Sequence, residues 1–182
     1  MTLFLTDIDR DHVDVRPINK MGRNAVSSNE VFIDDLMVPV EDRVGEEGQG
    51  FKNAMGVLNL NRPTVAAAAI GIAQASLDAS LGYAKDRVQF GRPIAEFQMV
   101  QGMLADMAIQ IEAARALLYK VTALIDSDPT DPKVPMMSSM VKTFASDMAM
   151  KVTTDAVQVF GGAGYLQDHP VERYMRDAKV CQ

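Results

Sequence analysis

The feature that most constrains this chain is a stripe of apolar residues, spaced alternately four and three apart, within residues 95–127. Such spacing places one apolar face along a helix and is typical of a bundle seam. Similar stripes precede and follow it, so the sequence predicts three long amphipathic helices in an antiparallel bundle. The stripe members are, in chain order, Ile70, Ala73, Leu77, Leu81, Ala84 and Val88; Val100, Leu104, Met107, Ile111, Ala114, Leu118, Val121 and Ile125; and Met137, Val141, Phe144, Met148, Val152, Ala156 and Val159.

The connecting segments complete this prediction. Gly91–Pro93 should separate the first helix from the second, and the proline-rich run DSDPTDPKVP should separate the second from the third. The tail after Pro170 is a candidate for a fourth helix. The predicted fold class is therefore mainly α, an incomplete four-helix antiparallel bundle.

Residues 1–47 follow a different pattern. Three short runs of β-branched and apolar residues, 1–6, 13–18 and 29–38, alternate with polar turn clusters and predict strands. Three strands without an earlier partner leave an edge that is unpaired or pairs with another chain. We therefore expect two domains: residues 1–47 as the end of a β domain whose beginning is missing, and residues 48–182 as the helical bundle.

The composition excludes several functional classes. The formal net charge of −6 argues against a nucleic-acid binder, which needs basic surface. The single cysteine, Cys181, permits no internal disulfide. The two histidines, His12 and His169, lack the Glu-x-x-His spacing of a di-iron bundle, so we expect no metal site and two solvated histidines. No signal-like segment and no apolar run near the roughly 20 residues of a membrane span are evident, which favours a reducing compartment without a membrane span.

Two segments could bind a ligand. Gly161–Tyr165 (GGAGY) follows a helix, which favours a glycine helix stop. Its glycines would also leave backbone N–H groups open to a phosphate or a flavin edge. Arg87, which precedes the run VQFG at the predicted end of the first helix, suits two roles equally. It could be a cation near a helix carboxyl end or a guanidinium presented to a phosphate.

Together these segments resemble the acyl-CoA dehydrogenase family. The run Tyr83–Ala108 (YAKDRVQFGRPIAEFQMVQGMLADMA) resembles its Arg-x-x-Phe-Gly signature, and Asp155–Val180 (DAVQVFGGAGYLQDHPVERYMRDAKV) resembles its second signature. The resemblance covers essentially the whole chain. It implies a middle β domain followed by a carboxyl-terminal four-helix bundle, with FAD between them. A neighbouring subunit completes the FAD site in that family, so the resemblance also implies a homo-oligomer.

The resemblance further implies site residues and a reaction. The reaction is α,β-dehydrogenation of an acyl-CoA thioester, with electrons passed to an electron-transfer flavoprotein. The compartment implied is the cytoplasm, or the mitochondrial matrix in a eukaryote. Acyl-CoA contacts match Arg62 and, more weakly, Asn59. The FAD contacts match Arg87, Gln89, Phe90, Gln98, Gln158, Gly161 and Gly162.

The sequence departs from the family at the catalytic base. Most members carry a glutamate soon after a segment like Arg176–Lys179, in a Tyr-Glu-Gly-Thr-like run that is not among these residues. Other members place the base directly before the arginine matched by Arg62, where this chain has Asn61. We therefore predict no catalytic residue.

The nearest carboxylates, Glu172 and Asp177, are expected to pair with Arg173 or Arg176. The chain by itself is expected to be inactive and to hold FAD weakly or not at all. The alternative is a non-catalytic helical oligomerisation module derived from the same family.

Overall fold

The amino-terminal strands form two separate antiparallel pairs in the computed structural model, which describes residues 1–182. β1 pairs with β4 and β2 pairs with β3. Each predicted run contains a strand, but the strands are shorter than predicted, and β4 was not predicted. Their bounds are Leu3–Phe4 for β1, Val13–Pro17 for β2, Asn29–Ile33 for β3 and Arg43–Val44 for β4.

The β2–β3 hairpin buries little apolar surface. Val13 is its only buried side chain, and every residue of β3 is exposed. The guanidinium of Arg16 lies 4.7 Å from the centre of the Phe32 ring, which is a cation–π contact on an exposed face. The other edge of β3 pairs with no strand of this chain.

Helix α1, Gly50–Asp86, is longer at its start and shorter at its end than the stripe predicted. It continues through Pro63. Val88 lies beyond the helix and is 54% exposed, and Leu81 is 37% exposed, so both were wrongly assigned to the core. Ser76 and Ser80 occupy the buried face near Leu81 instead. Their hydroxyls donate to backbone carbonyls four residues earlier, which allows these small side chains into an apolar core.

Helices α2 (Gln98–Ser127) and α3 (Val134–Phe160) confirm the predicted seams almost residue for residue. The connection at 128–133 is short, so the two helices are antiparallel neighbours. One exception is Phe144, which is 38% exposed because it lies at the border of the buried face. Helix α4, Val171–Ala178, supplies the predicted fourth helix but spans only two turns. All four helices contribute to one hydrophobic core.

The chain divides into two compact units, Met1–Leu58 and Asn59–Gln182.

Helix α1 is, by length and composition alone, apolar enough to cross a membrane, whereas no such run was expected from the sequence. Only 39% of the apolar stretch of this helix is buried in the structure. Core helices often share this composition, so the finding is weak evidence for a membrane span.

Candidate functional site

A small β-hairpin follows α1, where the sequence predicted the end of the helix. Strand β5 (Val88–Gln89) pairs with β6 (Arg92–Pro93) through the two-residue turn Phe90–Gly91. Both turn residues have positive φ, 53° and 81°, as in the turns that match strand twist. A β-branched Val88 and the proline at residue 93 favour this extended path over a helix. The prediction that Arg87–Gly91 closes the helix was therefore wrong from Val88 onward.

The hairpin tip carries an unusual residue. Phe90 adopts a left-handed backbone conformation that bulky residues rarely occupy, and its ring is 92% exposed. Phe97, just before α2, anchors the tip: its ring meets Phe90 edge-on at 6.2 Å, and the Arg92 guanidinium lies 4.3 Å from its centre. A strained residue held this way is a common mark of a functional position.

The glycine run after α3 ends that helix, as predicted. Gly161 has φ 59° and ψ −137°, a combination open essentially only to glycine, and its N–H donates to the Gln158 carbonyl. The chain then makes a 3₁₀ turn over Gly161–Tyr165. No atom lies within 4 Å of where a Cβ would stand on Gly161 or Gly162, whereas a Cβ on Gly164 would lie 2.5 Å from the Val157 carbonyl oxygen. The first two glycines are therefore open to a ligand, and the third is required by packing.

These two segments meet at one pocket. Its volume is about 340 Å³, near the lower end of the range for small-molecule sites. Four residues predicted to bind FAD line it: Arg87, Gln89, Gly161 and Gly162. The end of α1 and the end of α3 thus bring together residues more than seventy positions apart in sequence.

The polar side chains of this pocket have no partner within the chain. Neither the guanidinium of Arg87 nor the carboxamide of Gln89 makes a hydrogen bond or ion pair. Free guanidinium donors facing bare glycine backbone suit a phosphate or another oxyanion.

Three predicted cofactor residues do not line the pocket. Phe90 lies at the hairpin tip, Gln98 is the first residue of α2, and Gln158 lies in the last turn of α3. All three are exposed. They are available to a larger ligand that extends beyond the pocket.

The candidate substrate residues lie on one turn of α1. Arg62 donates a hydrogen bond of 2.5 Å from Nη1 to Oδ1 of Asn59. Pro63 has no N–H, so the backbone carbonyl of Asn59 lacks its usual helical donor. Asn61, at the position where some family members carry the base, is exposed on the same turn. This turn combines a carbonyl that lacks its usual helical donor with a half-buried guanidinium.

Glu172 is engaged by Arg176, as the sequence predicted. Arg176 donates from Nε to Oε2 at 2.7 Å and from Nη2 to Oε1 at 3.0 Å. These hydrogen bonds hold the pKa of Glu172 below its ordinary value, although burial by itself would raise it. The positive charges of Arg176 and Arg173 lower the pKa as well. The same bonds raise the pKa of Arg176. A carboxylate with a lowered pKa is a poor proton acceptor, which argues against a role as general base.

An aromatic cluster beside the pocket was not predicted from the sequence. Tyr83 and Phe160 both line the pocket, and their rings stack with centroids 4.0 Å apart. His169, expected to be solvated, is half-buried and meets both rings edge-on, so that expectation was wrong. The sequence spacing could have indicated that Tyr83 lies beside the pocket, because Tyr83 is one helical turn before Arg87 and so shares its face.

Comparisons with known proteins agree on one family. Residues 48–182 match the model described as the acyl-CoA dehydrogenase carboxyl-terminal domain. The chain is 52% identical over 163 residues to the cyclohex-1-ene-1-carbonyl-CoA dehydrogenase of Syntrophus aciditrophicus, covering 90% of this chain and 39% of that protein. It is 46% identical to a probable acyl-CoA dehydrogenase of Mycobacterium tuberculosis, covering 100% of this chain and 46% of that protein.

A solved structure gives the same result. The butyryl-CoA dehydrogenase of Megasphaera elsdenii superposes with a TM-score of 0.93 at 44% identity, over 100% of this chain and 47% of that one. The chain therefore spans less than half the length of these relatives. By sequence and by fold, the chain belongs to the acyl-CoA dehydrogenase family.

Proposed function

We propose that this chain is the FAD- and substrate-contacting helical part of an FAD-dependent acyl-CoA dehydrogenase. The observation that carries the proposal is the convergence of Arg87, Gln89, Gly161 and Gly162 on one pocket. These residues come from the two segments that carry the family's signatures. When bound, FAD supplies a ring that accepts hydride from the β-carbon of an acyl-CoA thioester.

The pocket residues fit the phosphate end of FAD. Arg87 offers unpaired guanidinium donors, Gln89 offers an unpaired carboxamide, and open space lies over Gly161 and Gly162. Charge-assisted hydrogen bonds from a guanidinium to phosphate oxygens are among the strongest such contacts. The exposed Phe90, Gln98 and Gln158 are proposed as further contacts to a cofactor that reaches beyond the pocket.

We assign the acyl-CoA thioester to the turn of α1 that carries Asn59 and Arg62. The hydrogen bond between these two side chains fixes the guanidinium against the helix, which favours a positioning role. We assign no catalytic base within these residues, because Asn61 is an amide and Glu172 is held by Arg176. The proposed role of the chain is therefore to bind and orient, and electron transfer to an electron-transfer flavoprotein belongs to the same proposal. The cytoplasm is the proposed compartment.

A ligand titration followed by NMR tests the cofactor site in the full 182-residue chain. FAD and ADP are expected to shift the backbone amides of Arg87, Gln89, Gly161 and Gly162. Riboflavin, which lacks the phosphates, is expected to leave them unchanged. Weak binding is expected, because a shallow pocket leaves most of the flavin in water.

The matched variants are Arg87→Ala and Arg10→Ala. The first removes the pocket guanidinium and should abolish the shifts. The second removes an exposed arginine of the other unit and should leave them intact. Equal shifts with riboflavin and FAD, or none at millimolar FAD, would contradict the proposed site.

A second candidate role is self-association, which a separate observation supports. A groove of about 730 Å³ runs between α2 and α3, and its lining includes the exposed Met140 and Phe144. Asp147 and Lys151 border the same groove, one turn apart. A second copy of the chain, placed by a two-fold axis, would cover this apolar surface. We propose that the chain forms a homo-oligomer through this groove.

Sedimentation velocity at micromolar concentration tests this role. The wild-type chain is expected to sediment as a dimer or larger species, and Phe144→Asp is expected to produce a monomer. Tyr119→Asp places the same charge at an exposed position on α2 outside the groove and should not. A compact wild-type monomer would rule this association out and leave the flavin proposal untouched.

A further inference from the structure

The aromatic cluster of Tyr83, Phe160 and His169 joins three parts of the bundle beside the proposed flavin pocket. Tyr83 comes from α1, Phe160 is the last residue of α3, and His169 lies in the turn before α4. The Tyr83 and Phe160 rings stack at an interplanar angle of 15°. The His169 ring meets Tyr83 at 5.7 Å and 73°, and Phe160 at 5.1 Å and 60°. The two contacts of His169 are the edge-to-face arrangement that aromatic rings prefer.

Each ring of the stack is directly connected to one half of the pocket. The backbone N–H of Arg87 donates to the Tyr83 carbonyl at 2.8 Å, so the position of Tyr83 sets that of Arg87. Phe160 precedes Gly161, where α3 ends at a positive φ. The ring stack thus links the backbone of Arg87, whose carbonyl also accepts a hydrogen bond from the Ile94 N–H at 2.8 Å, to the glycine backbone of the pocket, while the Arg87 side chain has no partner in the chain.

His169 holds this stack from the side. The backbone that carries it is well anchored, because Val171, two residues further on, is fully buried and begins α4. The ring is half-buried and meets both stacked rings in an edge-to-face geometry, at interplanar angles of 73° and 60°, which an aliphatic side chain cannot reproduce.

We propose that His169 is a positioning residue that aligns Arg87 with Gly161–Gly162 by bracing the Tyr83–Phe160 stack. The functional meaning of this alignment rests on the proposed flavin site. The proposed effect of His169 on the pocket backbone does not depend on that site, because it concerns the pocket without a ligand.

NMR of the full chain tests the proposal with two variants and one control. His169→Leu keeps bulk but removes the aromatic edge, and His169→Phe keeps the edge but removes the nitrogens. Gln167→Ala changes an exposed side chain of the same turn. We expect His169→Leu to shift the amides of Arg87, Gly161 and Gly162 without ligand and to weaken ADP binding about tenfold. His169→Phe should restore both properties, and Gln167→Ala should alter neither.

The outcomes separate this inference from the proposed function. Unchanged pocket amides in His169→Leu would overturn the inference, as would a failure of His169→Phe to restore them. A wild-type chain that does not bind ADP, but whose pocket amides depend on the ring at residue 169, would refute the flavin site while supporting the positioning role. Equal ADP affinity of wild type and His169→Leu, in a chain that binds ADP, would also overturn the inference.

Discussion

The two units of this chain differ in how they bury apolar residues. In Asn59–Gln182 the helices share a hydrophobic core drawn from all four of them. In Met1–Leu58, Val13 is the only buried hydrophobic side chain, while Leu5, Phe32 and Ile33 are exposed. Both units are rich in apolar residues, so composition does not explain the difference.

Local pattern and burial are therefore separate properties. Alternating strands form hairpins by local pairing, but a two-stranded pair is only marginally stable without a further surface to pack against. Long helices with matching seams bury one another within a single chain. We therefore expect the free energy of unfolding to reside almost wholly in the bundle.

The largest expected effect comes from emptying the bundle core. Ile111→Ala removes a side chain that is 1% exposed, and should lower the free energy of unfolding by about 2–5 kcal/mol through lost burial and a residual cavity. Ile109→Ala, at a 64% exposed position on the same helix, should cost less than about 0.5 kcal/mol. Chemical denaturation followed by circular dichroism measures both. Similar costs for the two variants would contradict the assigned core.

A second test separates a packing glycine from an open one. Gly164→Ala places a Cβ against the Val157 carbonyl and Phe160 Cβ, at 2.5 and 2.8 Å, and should destabilise the bundle by about 1–3 kcal/mol. Gly162→Ala meets no atom within 4 Å. It should change stability little but weaken ADP binding, because its methyl group enters the pocket. A lower thermal unfolding temperature for Gly162→Ala than for Gly164→Ala would contradict the roles assigned to these two glycines.

The β2–β3 hairpin should respond weakly to substitution. Phe32→Ser removes an exposed ring and its contact with Arg16, and should change the free energy of unfolding by no more than about 1 kcal/mol. Hydrogen exchange gives an independent reading: amides of residues 13–33 should exchange far faster than those of α2 and α3. Bundle-like protection of the hairpin in a proven monomer would break the comparison.

The smallest expected effect concerns the ion pair of α4. The pKa of Glu172 is lowered from about 4.5, so its contribution to stability is fully present above that pH and is lost as pH falls through the lowered pKa. Glu172→Gln should therefore cost at most about 1 kcal/mol at neutral pH and progressively less in acid. Asp155→Asn, which disrupts the more exposed pair with Lys151, should cost less still. A gap between wild type and Glu172→Gln that widens in acid would contradict this assignment.

Much of the bundle was predictable because its signal is local. Burial of Leu104, Met107 and Ile111 follows from a helical period read directly from sequence. The glycine stop at Gly161 was predictable for the same reason, since only glycine readily adopts its φ and ψ. The Glu172–Arg176 pair follows from their separation of four on one helix.

Sequence alone thus determined which residues form helices, which faces they bury and which two segments carry the family's signatures. Three features followed from the tertiary structure and not from the helical period: Val88 enters a hairpin, Leu81 is partly exposed while Ser76 and Ser80 are buried, and His169 packs against Tyr83 and Phe160. The physical reason is the sequence separation of the residues in contact. Periodicity records the neighbours three and four residues away, whereas a pocket built from the ends of α1 and α3 depends on contacts between segments that meet only after the bundle has packed.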